Sequence, residues 1–445
     1  VTAPTNHSPR LAARLLASAL VAGLVGASAS AAHAQAEVAP GSVEGPGVKV
    51  GEGTVIHPVV GVETGVISNV FFEDTNENFS GILRLIAEFS AASLSAQRLA
   101  AVEAGESEDS VAEGEGTATS ASAGDVAWDA GLRLAYEEWL SGNDRVQAQR
   151  DLAIGFDANA LVNPRSTWQF VAEEHFTREI RPTNYESSGD LDRDINRIVL
   201  GANFVPAGRT LSGTLRLTNI IDVFEGDQHD FANRMHNTLA VRANWRIFPY
   251  TNLYADTSIG YFFGLGSTST KATSFPLRIT TGIQTALTVN TTAAAHVGFG
   301  KGFYTAGPDF TMALFGGQFG YRYSPLARTT LMYDYGFQDS INANFFSDHQ
   351  LRVQHEQLIK DFQVTGRAGL VFRSYRGIDP SIMGSSTDRS DIIFDAAASV
   401  SRSFRDWLAG AVEYHFVTDQ TSFMQAGDDP SYTRHELTVG VRGAL

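Results

Sequence analysis

From Asp388 to Leu445 the chain alternates apolar and polar residues in three successive ribbons. Ile392, Phe394, Ala396, Ala398 and Val400 share one face of the first. Leu408, Gly410, Val412, Tyr414 and Phe416 share one face of the second, and Leu437, Val439, Val441, Gly443 and Leu445 one face of the third. The opposite faces carry Asp391, Asp395, Glu413, His415, Glu436, Thr438 and Arg442. Successive side chains of a strand point to opposite faces, so each ribbon has an apolar and a polar side. A soluble sandwich tolerates such ribbons. A transmembrane barrel requires them, with apolar residues toward lipid and polar residues toward a wet lumen.

The same period runs back through the chain. Leu239, Val241, Ala243, Trp245 and Ile247 oppose Thr238, Arg242, Asn244 and Arg246. Leu253, Ala255, Thr257, Ile259, Tyr261 and Phe263 oppose Tyr254, Asp256, Ser258 and Gly260. Period two repeated over many segments is the primary strand signal. About eighteen segments follow, with predicted starts near His57, Phe79, Trp128, Val146, Trp168, Arg193, Leu211, Ala232, Thr251, Pro276, Thr291, Phe310, Thr329, Asp348, Phe362, Asp391, Asp406 and Tyr432. Each is near the ten or so residues that a tilted spanning strand needs. The even number suits a single-chain bacterial barrel. Beyond the first thirty positions there is no run of about twenty apolar residues, so a helical membrane protein is excluded. Mean hydropathy of −0.09 fits a barrel, because half of every spanning strand is polar.

The connections alternate in length. Asn163–Ser166, Pro206–Arg209, Phe248–Tyr250, Asn290–Thr291, Ser324–Leu326 and Ser403–Arg405 are tight. Pro182–Asp190, Glu225–Asp230, Gly266–Thr273, Gly377–Thr387 and Thr421–Pro430 are longer and polar. Short periplasmic turns and longer outer loops are the outer-membrane pattern. One stretch breaks it: residues 101–125 are acidic, low in complexity and expected to be disordered, on the periplasmic side by this count.

The domain reading is a cleaved signal over residues 1–34, a flexible leader over 35–53, and a barrel over 54–445. Arg10 and Arg14 precede an apolar core from Leu15 to Ala27, and Ala32-His33-Ala34 supplies small residues for cleavage. The net charge of −16 argues against nucleic acid as a partner. Cysteine is absent, so disulfides, thiolate metal ligands and thiol nucleophiles are excluded. No catalytic constellation stands out. His355-Glu356 lacks a second histidine four residues on. Gly298, Gly300 and Gly302 lie in a strand-like segment, not before a helix, and read as small residues on a strand. The chain is not expected to be an enzyme or to hold a cofactor or metal.

What recurs is charge on the polar faces. Arg216, Arg242, Arg246, Asp256, Arg278, Arg322, Asp334, Arg367, Arg373, Glu413 and Arg442 are the candidate lumen-lining residues. Charges of both signs solvate a wet interior. The narrower reading is that Arg242, Arg246, Arg278, Arg367 and Arg373 line a path for an anionic solute, since rings of charge tune pore selectivity. Trp128, Trp139, Trp168, Trp245, Phe248, Tyr250, Tyr323 and Trp407 lie near segment ends and fit interfacial girdles.

Both ends of this barrel region resemble one family. Val60–Ser90, with Asn69, Val70, Phe71, Leu83, Arg84 and Leu85, is similar to the first hairpin of the β-barrel porin 2 family. Arg389 and Asp391, Trp407 and Leu408, Tyr414, Arg434 and Val439 are similar to its last hairpins. One departure is Leu445 in place of a terminal Phe or Trp.

The fold expected is all-β: a membrane-spanning, antiparallel, up-and-down barrel of about 18 strands, its last ribbon closing against the first near His57–Ser68. The resemblance implies residence in the outer membrane among lipid and lipopolysaccharide, after insertion by barrel-assembly machinery. It also implies a pore that serves exopolysaccharide export beside a periplasmic polysaccharide-export protein. A general diffusion porin for small solutes is the alternative within transport. A non-conducting structural or adhesion barrel is the alternative from another class.

Overall fold

The computed structural model describes residues 45–445 except 46, 51–52, 76, 94–125, 181–191, 209, 267–268, 270–271, 341–342, 378–388 and 422–429. The signal, most of the leader, the acidic stretch and three of the long connections therefore fall wholly or largely outside the described residues.

Eighteen long strands form one closed wall: β2 (Thr54–Ile67), β3 (Ser80–Ser93), β4 (Val126–Leu140), β5 (Asp151–Val162), β6 (Trp168–Glu179), β7 (Arg193–Phe204), β8 (Leu211–Phe224), β9 (Arg234–Phe248), β10 (Thr251–Gly264), β11 (Ser274–Thr288), β12 (Thr291–Tyr304), β13 (Phe310–Ser324), β14 (Ala327–Asp339), β15 (Phe345–Ile359), β16 (Phe362–Arg376), β17 (Arg389–Arg405), β18 (Leu408–Thr421) and β19 (Tyr432–Ala444). Each pairs antiparallel with the next, and β19 closes on β2 from Glu436 opposite Ile67 to Ala444 opposite Val59. A short strand β1 (Val48–Val50), within the stretch expected as leader, pairs with Thr54–Ile56. It takes up the edge of β2 that lies beyond the end of β19. The pairing of β19 with β2 removes the two outer edges of the sheet, which is the condition for crossing hydrocarbon with strands. Among the described residues no helix is long and apolar enough to cross a membrane.

Burial follows the period-two pattern. Val60, Val62, Leu200, Leu215, Leu239, Val241, Ile259, Ile279, Leu351, Val412 and Val439 all stand exposed on the outside. Their neighbours one position away face in. The outer surface is thus an apolar belt that water does not tolerate but hydrocarbon does. Trp168, Trp245, Phe248, Tyr250, Tyr323 and Trp407 are exposed near the turn end of the barrel, where a girdle belongs. Trp139 departs from that expectation. It has inward parity on β4, is 2% exposed, donates its indole N–H to the Gln149 carbonyl at 3.1 Å, and packs with Ile67, Val70, Phe71, Ile82 and Val146.

Val146 is a second correction. It sits in a single helical turn, Asp144–Gln147, and β5 starts five residues later at Asp151. Asn143 caps that turn by accepting from the Arg145 N–H at 2.9 Å. Pro249–Tyr250, Val289–Asn290, Pro325–Leu326, Lys360–Asp361 and Asp406–Trp407 are two-residue turns at one end of the barrel. The last lies just past the predicted Ser403–Arg405, and the Lys360 turn, with φ of +58°, was not among the expected ones.

Candidate functional site: a charged and narrowed lumen

The inner face is recognised by contacts that skip strands, which only side chains on the concave side of a barrel can make. Arg84 on β3 reaches Glu137 on β4 at 2.7 Å, Glu436 on β19 at 2.9 Å and Glu63 on β2 at 3.9 Å. Arg442 on β19 meets Glu63 at 2.7 Å and Glu88 on β3 at 3.6 Å. His415 and Asp395 pair at 2.6 Å, and His175 pairs with Asp157. This side of the wall, β17–β19 and β2–β6, is rich in inward carboxylates: Glu63, Glu137, Asp157, Glu173, Asp395, Glu413 and Glu436. Glu413 shares a small cleft with Glu63, Thr438 and Arg442.

Arginines dominate the other side, and several answer to neutral oxygens. Arg216 donates to the Leu215 carbonyl at 3.0 Å and to Asn203 at 2.7 Å. Arg246 donates to the Gly208 carbonyl at 2.7 Å. Arg242 donates to Asn244 at 3.0 Å and stands 4.0 Å over the Tyr254 ring, with Asp256 opposite it in register. Arg322 pairs in register with Arg328. A guanidinium bonded to a carbonyl keeps its full charge, so β7–β9 present fixed positive potential while β2–β6 present negative.

Asp334 lies 3.3 Å from His296, and Arg367 lies 3.7 Å from Asp395. Arg373 is held in a fork by Asp348 at 2.9 and 2.8 Å beneath the Phe346 ring, and Arg442 is 4% exposed. These two arginines are sealed in ion pairs rather than presented to open water.

The lumen is narrowed from two sides. Between β2 and β3, Phe72 packs against Val417 and Tyr432, while Phe71 packs against Ile82, Trp139 and Val146. Asn69 fixes this loop by donating to the Glu73 carbonyl at 2.7 Å and the Thr433 carbonyl at 3.0 Å. Roughly opposite, the β14–β15 hairpin folds inward. Phe337 and Phe345 pack on Phe310 and Leu314, which belong to the inner face of β13. Ser274 of β11 and Tyr304 of β12 both donate to Asp339, at 3.2 and 3.3 Å. Glycines make the room. A Cβ on Gly300 would come within 2.5 Å of the Phe337 ring, and one on Gly302 would clash with the Phe310 ring.

Glu63, Arg84, Arg328 and Arg352 also lie on the inward-facing parity of their strands, yet none is among the lumen residues expected from the sequence. The inward hairpin leaves no trace in the sequence beyond three glycines on one face of β12.

No family model matches the sequence, and no curated protein matches it. Solved structures resemble its outline. OccAB3 of Acinetobacter baumannii aligns over 88% of this chain and 99% of its own, at 10% identity and a TM-score of 0.42. The outer membrane protein OpdK of Pseudomonas aeruginosa aligns over 88% and 98%, at 9% identity and 0.44. OccK2 of the same organism, solved with glucuronate, aligns over 87% and 98%, at 11% identity and 0.45. Likeness this distant transmits no substrate to this chain.

Proposed function

We propose that this chain is an outer-membrane pore that passes small polar solutes by diffusion and favours those bearing a negative group. The observation that carries the reading is a closed wall of eighteen strands, apolar outside, whose inner face holds arginines bonded to neutral acceptors. Barrels of this strand number leave an aqueous channel. The tight turns then face the periplasm and the longer loops face outward. Outer-membrane lipid and lipopolysaccharide are its surroundings, reached through barrel-assembly machinery. No chemical step is assigned to the chain.

Charge on facing walls acts on a solute throughout its passage, at close range and in a confined volume. A solute with a carboxylate aligns that group toward β7–β9. Liposome swelling tests the reading. Proteoliposomes should swell faster in small organic anions than in neutral sugars of equal size, and equal rates would remove the selectivity.

A second reading, a conduit for secreted polysaccharide working with a periplasmic export protein, rests on the likeness of both ends to the porin 2 family, although no family model matches the sequence. An arginine-lined wall serves an anionic polymer as well as a small anion. Deleting the gene separates the two: loss of secreted polysaccharide with unchanged small-solute uptake supports the conduit.

A further inference from the structure

The β13–β14 ladder ends at Phe315 opposite Tyr335, although both strands continue toward the loop end. Above that rung, Phe310–Leu314 pair only with β12, while Gly336–Asp339 pair only with β15. The β5–β6 ladder also stops short, at Ile154 opposite Arg178, but at this seam β14 turns to the inner side. Phe337 shows it: its parity on β14 is outward, yet its ring touches Leu314 and the Gly300 position on the inner face.

Three things meet at this break. Outside and just below it stands an aromatic group: Phe315 lies 5.2 Å from Tyr335, and Tyr335 stacks on His349 at 4.2 Å. Such a group suits the membrane–water interface, the level at which an amphiphile's head and tail divide. Inside it lies the apolar cluster of Phe310, Leu314, Phe337 and Phe345. At the cluster's inner edge sits Arg278, which donates to the Phe337 carbonyl and meets no carboxylate at ion-pair distance among the described residues.

We propose that this break is a side portal for amphiphiles. The hydrocarbon tail of a single-chain amphiphile in the outer leaflet passes between β13 and β14 onto the aromatic cluster, and its anionic head is taken by Arg278. Tail and site match in chemistry: buried methylenes gain from leaving water, and a guanidinium bonded to a neutral carbonyl has donors left for a carboxylate. This goes beyond the aqueous pore, since ions move along the lumen whereas the amphiphile enters through the wall.

A photoreactive diazirine analogue of decanoate, applied to the full chain in lipid nanodiscs and mapped by peptide mass spectrometry, tests it. Adducts should concentrate on Phe310–Leu314, Phe337–Asp339 and Phe345, and excess decanoate but not butyrate should abolish them. Arg278→Gln should lower this competed labelling about tenfold, the value of one charged hydrogen bond. Because Arg278→Gln also loosens the hairpin, Ala313→Trp serves as the second variant. It fills the portal from outside without touching Arg278 and should also lower the labelling. Adducts spread over the outer belt, or adducts that decanoate does not compete, overturn the site. Labelling unchanged in Ala313→Trp overturns the route through the wall, and it does so whether or not the pore conducts.

Discussion

The guanidinium of Arg278 on β11 donates to the backbone carbonyl of Phe337 on β14 and stands 4.2 Å over the same residue's ring, reaching past β12 and β13. Such a bond forms only if β14 has left the wall and lies within the barrel. It ties the inward hairpin to the wall from the far side, and it gives the first prediction. Arg278→Ala frees one anchor, and Gly300→Leu evicts the Phe337 ring, an overpacking of about 1–3 kcal/mol. Both variants should conduct more, and with noisier open levels, than the parent in single-channel records. Identical traces would mean that the hairpin does not limit the current.

The outer belt makes a contrast of neighbours. Val241 faces out on β9 and Thr238 faces in on the same strand. Val241→Arg should cost about 2–4 kcal/mol if it sits near the bilayer midplane. Thr238→Arg should be mild. Urea unfolding in phospholipid vesicles measures both. Equal tolerance would argue against a barrel in lipid.

Arg84 is the hub of the acidic side. Its removal leaves Glu63, Glu137 and Glu436 facing one another with reduced compensation, the situation in which breaking a part-buried ion network costs about 3 kcal/mol. Arg84→Ala should therefore unfold at lower urea. Arg84→Lys should recover only part, because one ammonium cannot fork between carboxylates on three strands. Full recovery by lysine would mean that charge alone, not geometry, holds the network.

Arg216, Arg242 and Arg246 set the sign of the opposite wall. Replacing all three by glutamine should move the zero-current potential in a salt gradient toward cation preference, and the shift should shrink as salt rises and screens the wall. A shift independent of salt would point to altered structure.

Much of the fold was legible before the structure. Seventeen of the eighteen predicted strand starts fall within about three residues of the observed ones, because alternation sets the two faces and register cannot slip without exposing apolar residues to water. Val146 misled because a one-turn helix buries an apolar residue in a position a strand would also use. Trp139 misled because nearness to a strand end says nothing of the side on which it lies, whereas its odd parity did. Parity also marks Arg216, Arg242 and Arg246 as inward. It does not say which arginines are sealed, as Arg373 is by Asp348, because that depends on a neighbouring strand's register. The inward hairpin was out of reach: it depends on contacts between β11 and β14, far apart in sequence, and leaves only the glycines of β12 as a trace.

The central claim is a water-filled pore with opposed charge on its walls. Single-channel recording of the purified full chain in a planar bilayer tests it most directly. The account predicts discrete, stable conductance steps, with anions carrying the larger share of current at low salt. Absence of conductance at any voltage, from protein that is inserted and resists denaturation as a folded barrel, would contradict it.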